Sequence, residues 1–253
     1  MMKKVIAGEH IVKSFGEDKE GHKVLNDVSL DINEGEFVSV MGPSGCGKST
    51  LLFALSGMDH LSGGKVLFDN KNLSGFSADR LADIRRREMG FVFQQPTLLK
   101  NLSILDNIIL SSLRGNRKNL TVITKKARSL MGAAGILELE SRKITQVSGG
   151  QLQRAGICRA LMNNPKIIFA DEPTGALNSK SAQEIMDIFS EINGKGTAVM
   201  LVTHDIKVAA RTSRVMFMLD GKIAGEIRLP KFAGVNMENR MEKIALKMRE
   251  IGI

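Results

Sequence analysis

The stretch Gly42-Pro43-Ser44-Gly45-Cys46-Gly47-Lys48-Ser49 sets two glycines five positions apart and follows them with lysine and serine. That spacing suits a loop that grips phosphate. Glycines let the backbone curl until successive N–H groups point at one place, which makes an anion nest. The apolar run Ser49–Ser56 reads as a helix, so the loop feeds a helix N-terminus whose partial positive charge favours the same anion. In that setting Lys48 reaches the β- and γ-phosphates of a nucleotide, and the Ser49 hydroxyl ligates Mg²⁺. The bland alternative is a flexible Gly-rich turn. The apolar run Phe37–Met41 before the loop and the helical run after it argue against that.

A second constellation is Lys166-Ile167-Ile168-Phe169-Ala170-Asp171-Glu172. An apolar strand that ends in two carboxylates places them at the carboxyl edge of a parallel sheet, where such sheets bind ligands. Taken alone, an acidic strand end is a solvated turn. Beside a phosphate loop, Asp171 fits a Mg²⁺ shell and Glu172 fits a general base that polarises the attacking water.

Between these two lies Val147-Ser148-Gly149-Gly150-Gln151, followed by Leu152-Gln153-Arg154. It resembles the signature sequence of ATP-binding cassette (ABC) ATPases, normally Leu-Ser-Gly-Gly-Gln. Gln94, in Phe91-Val92-Phe93-Gln94-Gln95, resembles that family's Q-loop glutamine, and His204, in Leu201-Val202-Thr203-His204-Asp205, its switch histidine. Phe15 sits where the family has an aromatic residue stacked on adenine. By themselves Gln94 and His204 are unremarkable polar residues after strands; the shared order and spacing, over roughly residues 5 to 225, carry the inference. The resemblance implies a homodimer of nucleotide-binding domains that sandwiches two ATP molecules head to tail. Phe15, Gly42, Pro43, Ser44, Gly45, Cys46, Gly47, Lys48, Ser49 and Thr50 would hold nucleotide on one copy. Ser148, Gly149, Gly150 and Gln151 would meet the γ-phosphate from the other; Ser148 and Gly149 open a helix, a second anion-binding terminus. Gln94 would touch Mg²⁺ or the attacking water, and His204 would hydrogen-bond the γ-phosphate. The implied catalytic set is therefore Glu172, His204 and Gln94, the metal set Ser49, Gln94 and Asp171, and the cofactors ATP and Mg²⁺.

Three positions depart from the family pattern. Val147 replaces leucine, a small change in an apolar anchor. Phe15 replaces the commoner tyrosine, keeping the ring and losing the hydroxyl. Ala176-Leu177-Asn178 ends in Asn where the D-loop usually has Asp, which keeps hydrogen-bonding shape and drops a charge. Cys46 fills a variable loop position, where nearness to phosphate suggests sensitivity to alkylation.

The elements that must position these residues alternate. Val5–Phe15, Val28–Ile32, Phe37–Met41 and Lys65–Phe68 read as strands, with turns at Asn33-Glu34-Gly35 and Asp69-Asn70. Ser77–Glu88 reads as a helix with a basic end, Arg85-Arg86-Arg87. Gly90–Phe93 is a strand, Gln94–Asn101 a loop, and the stretch from Ser103 to about Ile144 is helical in period, with Arg114, Arg117, Lys118, Lys125, Lys126 and Arg128 along it. Ser148–Met162 is a helix, Lys166–Ala170 a strand, Ser179–Asn193 a helix, and Thr197–Val202 and Arg214–Leu219 strands; Asp220-Gly221 turns into Lys222–Arg228. Strands alternating with helices imply a buried, largely parallel sheet. The expected fold is α/β of the P-loop NTPase class, a RecA-like parallel core with an antiparallel β subdomain and an inserted helical subdomain at about 97–149, all within 1–228. In 229–253, Met237, Met241, Ile244, Met248 and Ile251 repeat at 4, 3, 4, 3, an amphipathic helix that Asn236 could cap and Gly252 end. Self-packing suits this stripe better than a partner groove.

Composition narrows the classes. The chain has 253 residues, a formal charge of +9, 43% apolar residues and 25% charged ones, ordinary for a globular protein. With no Trp or Tyr it lacks the stacking platforms of a single-strand nucleic-acid binder, and no DNA-binding helix pair is visible, so no nucleic acid is expected. Cys46 and Cys158 show no metal spacing, in keeping with a reducing compartment. No stretch nears the roughly 20 apolar residues that span a bilayer and no signal peptide is visible. The expected location is peripheral, at the cytoplasmic face of the membrane.

Asp171-Glu172-Pro173-Thr174-Gly175-Ala176-Leu177-Asn178 is similar to the ABC subgroup of macrolide exporters, lipoprotein-release ATPases and bacitracin-type peptide transporters. The Gly-Ala-Leu-Asn ending and Asn239-Arg240-Met241-Glu242-Lys243-Ile244 most resemble the last group. That implies an ATP hydrolase driving an integral-membrane permease that removes antimicrobial peptides, hence antibiotic resistance, and adds a sensor kinase to the implied partners. The alternative is a cell-division or lipoprotein-release type ATPase doing mechanical work on a different membrane partner. A nucleic-acid repair ATPase would need long coiled-coil or zinc insertions, which the sequence lacks. The basic clusters suit anionic headgroups, an acidic permease segment or plain solvation.

Overall fold

A computed structural model of the chain describes residues 3–16, 22–114 and 119–253. Strands β1 (Lys4–Phe15) and β2 (His22–Asn33) pair antiparallel, β3 (Phe37–Met41) leaves for a second sheet, and β4 (Gly63–Phe68) and β5 (Lys71–Asn72) return to the first, in the order β2-β1-β4-β5. The expected Asp69-Asn70 turn joins β4 to β5 with both residues left-handed, φ 48° and 63°, as a two-residue hairpin demands.

The second sheet adds β6 (Met89–Phe93), β7 (Ile167–Asp171), β8 (Ala198–Val202), β9 (Arg214–Leu219) and β10 (Lys222–Arg228), in the order β10-β9-β3-β8-β7-β6. All neighbours from β9 to β6 are parallel, and β10 closes one edge antiparallel. Its strands are apolar on both faces, so residues divide with period two. Ile167, Phe169, Met200 and Val202 pack with the first sheet and with helix α1 (Lys48–Leu55). Ile168, Ala170, Val199 and Leu201 pack on the opposite face. There they meet Ile157 and then Ile185 and Phe189 of two further helices.

The remaining helices are α2 (Ala78–Glu88), α3 (Ile104–Leu113), α4 (Leu120–Ala133), α5 (Gly149–Leu161), α6 (Ser179–Gly194), α7 (Ile206–Ala209) and α8 (Met237–Glu250). Ser77, Ser103, Ser148 and Asn178 cap α2, α3, α5 and α6 through their side-chain oxygens. The helical insertion packs around Ile104, Ile108, Ala127 and Met131. That core also takes Ala155, Cys158 and Met162, so α5 knits the insertion to the sheet and no core boundary falls at 149. Of the basic cluster on this insertion, Arg117 and Lys118 lie outside the described residues.

The terminal helix is self-packed. Ile244 is fully buried in a cluster with Met41, Ala209, Val215 and Phe217, and Met237, Met241, Met248 and Ile251 border it. Gly252 follows the helix at φ 76°, as its position suggested. Asn236 does not cap the start. It is left-handed, φ 61° and ψ 30°, and makes no side-chain capping bond, because an N-cap oxygen reaches the first amides only from an extended backbone. What fastens α8 is Arg240, 6% exposed. Its guanidinium donates to the carbonyls of Ala210 at 2.5 Å, Pro230 at 2.7 Å and Thr212 at 2.7 Å, and lies 5.4 Å from the Phe232 ring.

Replacing Arg240 by Met would keep the stem and leave three carbonyls without their charged donor. The expected loss is about 3 kcal/mol, a Tm lowered by roughly 6–12 °C for a chain of this size. The exposed Lys243→Met serves as control and stays within about 2 °C, both followed by circular dichroism or calorimetry.

Candidate functional site

The loop after β3 is shaped by close approach. A Cβ on Gly42 would stand 2.2 Å from the Met218 carbonyl oxygen, so no side chain fits. Gly45 and Gly47 are left-handed, φ 81° and 102°. Gly47 begins α1, and no side chain caps that terminus. Lys48 is only 8% exposed; its ammonium turns back into the loop and donates to the carbonyls of Gly42 at 2.9 Å and Pro43 at 2.8 Å. Pro43, Ser44 and Gly45 form the exposed crest, while Ser49 and Thr50 are half-buried in the first helical turn. The Ser49 hydroxyl donates to Asp171 Oδ1 at 2.8 Å.

Asp171 ends β7, and the chain then kinks. Glu172 is left-handed, φ 45°, a strained state for a bulky residue, and its backbone N–H donates a hydrogen bond to the Val202 carbonyl at 3.0 Å. Its Oε1 lies 2.9 Å from Nδ1 of His204, which follows β8. Thr203 and Asp205 brace this segment: Asp205 N–H donates to Thr203 Oγ1 at 3.0 Å, and Asp205 caps α7. Gln94 follows β6 and is exposed. Its amide lies against Gly175 in the turn after Glu172, where a Cβ would come within 2.9 Å of Gln94 Nε2.

The four segments thus leave β3, β8, β7 and β6, adjacent parallel strands, at one carboxyl edge. Phe15 ends β1 and pairs with His22 of β2. The same strand β2 sets the Val24 carbonyl where a Gly47 Cβ would be 2.8 Å away. Ser148, Gly149, Gly150 and Gln151 are elsewhere. Ser148 Oγ accepts from the Gln151 amide, and Gln151 Oε1 accepts from the Ser148 amide at 2.8 Å, a reciprocal box that opens α5. A cleft of about 240 Å³ beside it is lined by Ser148, Gly150, Gln151, Arg154, Asn178 and Ser181, and by none of the phosphate-loop residues. Asn178, the D-loop departure, spends its side chain on the Ser181 amide at 2.9 Å.

Sequence reasoning missed Gln153. It is 1% exposed and its Nε2 donates to the Phe93 carbonyl at 3.0 Å, pinning α5 to the residue before Gln94. The signal was its place four residues before Ile157 on the buried face of the helix.

The donors near Lys48 suit Mg²⁺. Ser49 and Asp171 present a hydroxyl and a carboxylate already in contact, hard oxygens of the kind that ion takes alongside phosphate. Among the described residues no group of three or more His, Cys, Asp or Glu could hold a metal ion. Cys46 is 7% exposed and burial raises its thiol pKa; burial pushes Cys158 up to about 12. The expected sensitivity of Cys46 to alkylation finds no support in that environment.

Comparison with known proteins gives one family model, described as ABC transporter, matching residues 25–175. The macrolide export ATP-binding/permease protein MacB of Escherichia coli is 40% identical over 225 residues, 89% of this chain. The chain spans about a third, 35%, of MacB's length. The lipoprotein-releasing system ATP-binding protein LolD of Aquifex aeolicus is 39% identical over 226 residues, 89% of this chain and 99% of LolD. The solved dimeric, post-hydrolysis structure of the ATP-binding cassette MJ0796 with ADP and Pi superimposes with a TM-score of 0.80. It is 38% identical, covering 90% of this chain and 100% of that one. The expected fold class is therefore the observed one.

Both thiols should be masked. In native protein a disulfide reagent such as DTNB is expected to modify Cys46 and Cys158 at least about tenfold slower than a free thiol. After unfolding in guanidinium both should react at once; rapid labelling of one thiol per native chain would contradict the burial of Cys46.

Proposed function

The chain belongs to the ABC transporter family, and from that premise we propose that it is the ATP-hydrolysing subunit that powers a separate membrane permease from the cytoplasmic face. The observation that carries this is the adjacency of β3, β8, β7 and β6, which delivers Lys48, His204, Glu172 and Gln94 to one edge. Among the described residues no helix is long and apolar enough to cross a membrane. The near end-to-end match with LolD, the ATP-binding protein of a lipoprotein-releasing system, supports an ATP-binding subunit.

In this reading the loop amides and Lys48 bind the triphosphate, and Phe15 stacks on the base. Mg²⁺, when bound, neutralises charge between the β- and γ-phosphates, and Ser49, Asp171 and Gln94 would hold it. Glu172 accepts the proton of the attacking water, its carboxylate oriented by the contact with His204. A neutral His204 that donates Nδ1–H to Glu172 presents Nε2 as an acceptor. To donate to the γ-phosphate it takes a second proton or leaves Glu172 for the nucleotide. Ser148, Gly150 and Gln151 line a different cleft; in this reading each chain holds two half-sites, with Gly149 in the second, and two copies close head to tail on ATP. Closure and reopening are the mechanical output.

For the cargo we favour peptide antibiotics, on the Gly175–Asn178 ending and the tail residues Asn239–Ile244. The lipoprotein-release and cell-division alternative uses the same catalytic residues and differs in the permease.

Glu172→Gln is expected to bind ATP, to slow hydrolysis by at least about 10²-fold and to accumulate dimer on gel filtration with ATP and Mg²⁺. A monomer with ordinary turnover would remove Glu172 as the base. A deletion strain should become at least several-fold more sensitive to peptide antibiotics in growth assays. Unchanged sensitivity together with retained lipoproteins or division defects would favour the alternative cargo.

A further inference from the structure

Phe15 is an exposed ring, 49% accessible, at the end of β1, and the next residue, Gly16, is left-handed at φ 107°. A ring so placed has several rotamers open to it, and stacking on a base would have to freeze one. The residue two positions earlier points to the same face of the strand. That residue is Lys13, and it is only 8% exposed. Its ammonium donates to Asp59 Oδ1 at 2.6 Å and to the His60 carbonyl at 2.8 Å, and it stands 4.6 Å over the centre of the Phe15 ring. The backbone is stitched to the same segment: Ser14 N–H donates to Ser62 Oγ at 2.9 Å, and Ser62 N–H to the Val12 carbonyl at 2.8 Å. The cation is therefore a fixed floor under one ring face.

We propose that Lys13 is a positioning residue for the nucleotide base, holding Phe15 in its stacking rotamer and leaving the opposite face for adenine. The proposal rests on the reading that Phe15 stacks on the base. Two physical effects support it. The ammonium attracts the ring's negative face and so narrows its rotamers before the nucleotide arrives. Two stacked aromatic faces repel through their negative quadrupoles, and a cation behind one of them draws that density away. The bland role for Lys13, a strut between β1 and the segment after α1, predicts no preference for the base over the phosphates.

The test is calorimetry on the full chain with Mg²⁺, comparing ATP with inorganic triphosphate, which has no base. Lys13→Met is expected to weaken ATP about threefold to tenfold and to leave triphosphate unchanged. Lys13→Arg should restore most of the ATP affinity, and Lys13→Met should add nothing in a Phe15→Ala background. Equal losses for ATP and triphosphate, no loss at all, or an undiminished loss without Phe15 would each overturn the proposal. If Phe15→Ala binds ATP like the wild type, the base platform itself is wrong. If Phe15→Ala loses affinity and Lys13→Met does not, only the role of Lys13 falls. Should Lys13→Met fail to fold, Asp59→Asn, which unfastens the ammonium, is read by the same comparison.

Discussion

A single hydrogen bond, 2.8 Å from Ser49 Oγ to Asp171 Oδ1, joins parts of the chain 122 residues apart. It forms because β8 lies between β3 and β7 and all three run parallel, so the loop after one strand and the carboxylate ending another meet over a shared edge. Parallel strands need long crossovers, and helices of the crossovers here cover one face of the sheet while α1 and the first sheet cover the other. A slip by one position would exchange the side chains of the two faces, which pack against different partners, α1 and the first sheet on one side and α5 and α6 on the other. The register of the buried sheet therefore fixes the spacing between phosphate loop, carboxylates and histidine.

The start of α5 obeys a different logic. Ser148 and Gln151 close their own helix terminus, and α5 is held by Gln153 on Phe93 and by Arg154 on the Ala134 carbonyl and Glu184. One helix thus touches the end of β6, the helical insertion and α6 together. Any shift of the segment around Gln94 bears on α5 through a buried amide, which water does not reach to soften.

Much of this was legible beforehand because the informative signals are local. Glycine spacing marks the loop, apolar runs bounded by turn residues mark β3, β7, β8 and β9, and Asp220-Gly221 marks the last hairpin. What stayed hidden depends on partners remote in sequence. Gln153, Lys13 and Arg240 carry no local mark of their partners, and only the fold shows each one meeting a carbonyl or carboxylate 28 to 60 residues away. The left-handed backbone of Glu172 carries no compositional mark, since its cause is the Val202 carbonyl. Asn236 misled for the opposite reason: its residue type favours caps and left-handed turns alike, and the chain uses the second.

Strand β10 has a consequence for how copies of the chain can meet. It alternates exposed and half-buried residues, carries Lys222, Glu226 and Arg228 on its outer side, and has α8 draped across it at Gly225, where Lys247 and Ile251 approach within 3.4 and 3.6 Å of a built Cβ. Charge and a covering helix are the usual guards against strands annealing edge to edge. Association through a continuous intermolecular sheet is thereby discouraged at this border, and a chain shortened ahead of Met237 would lose that guard and gain a sticky flank.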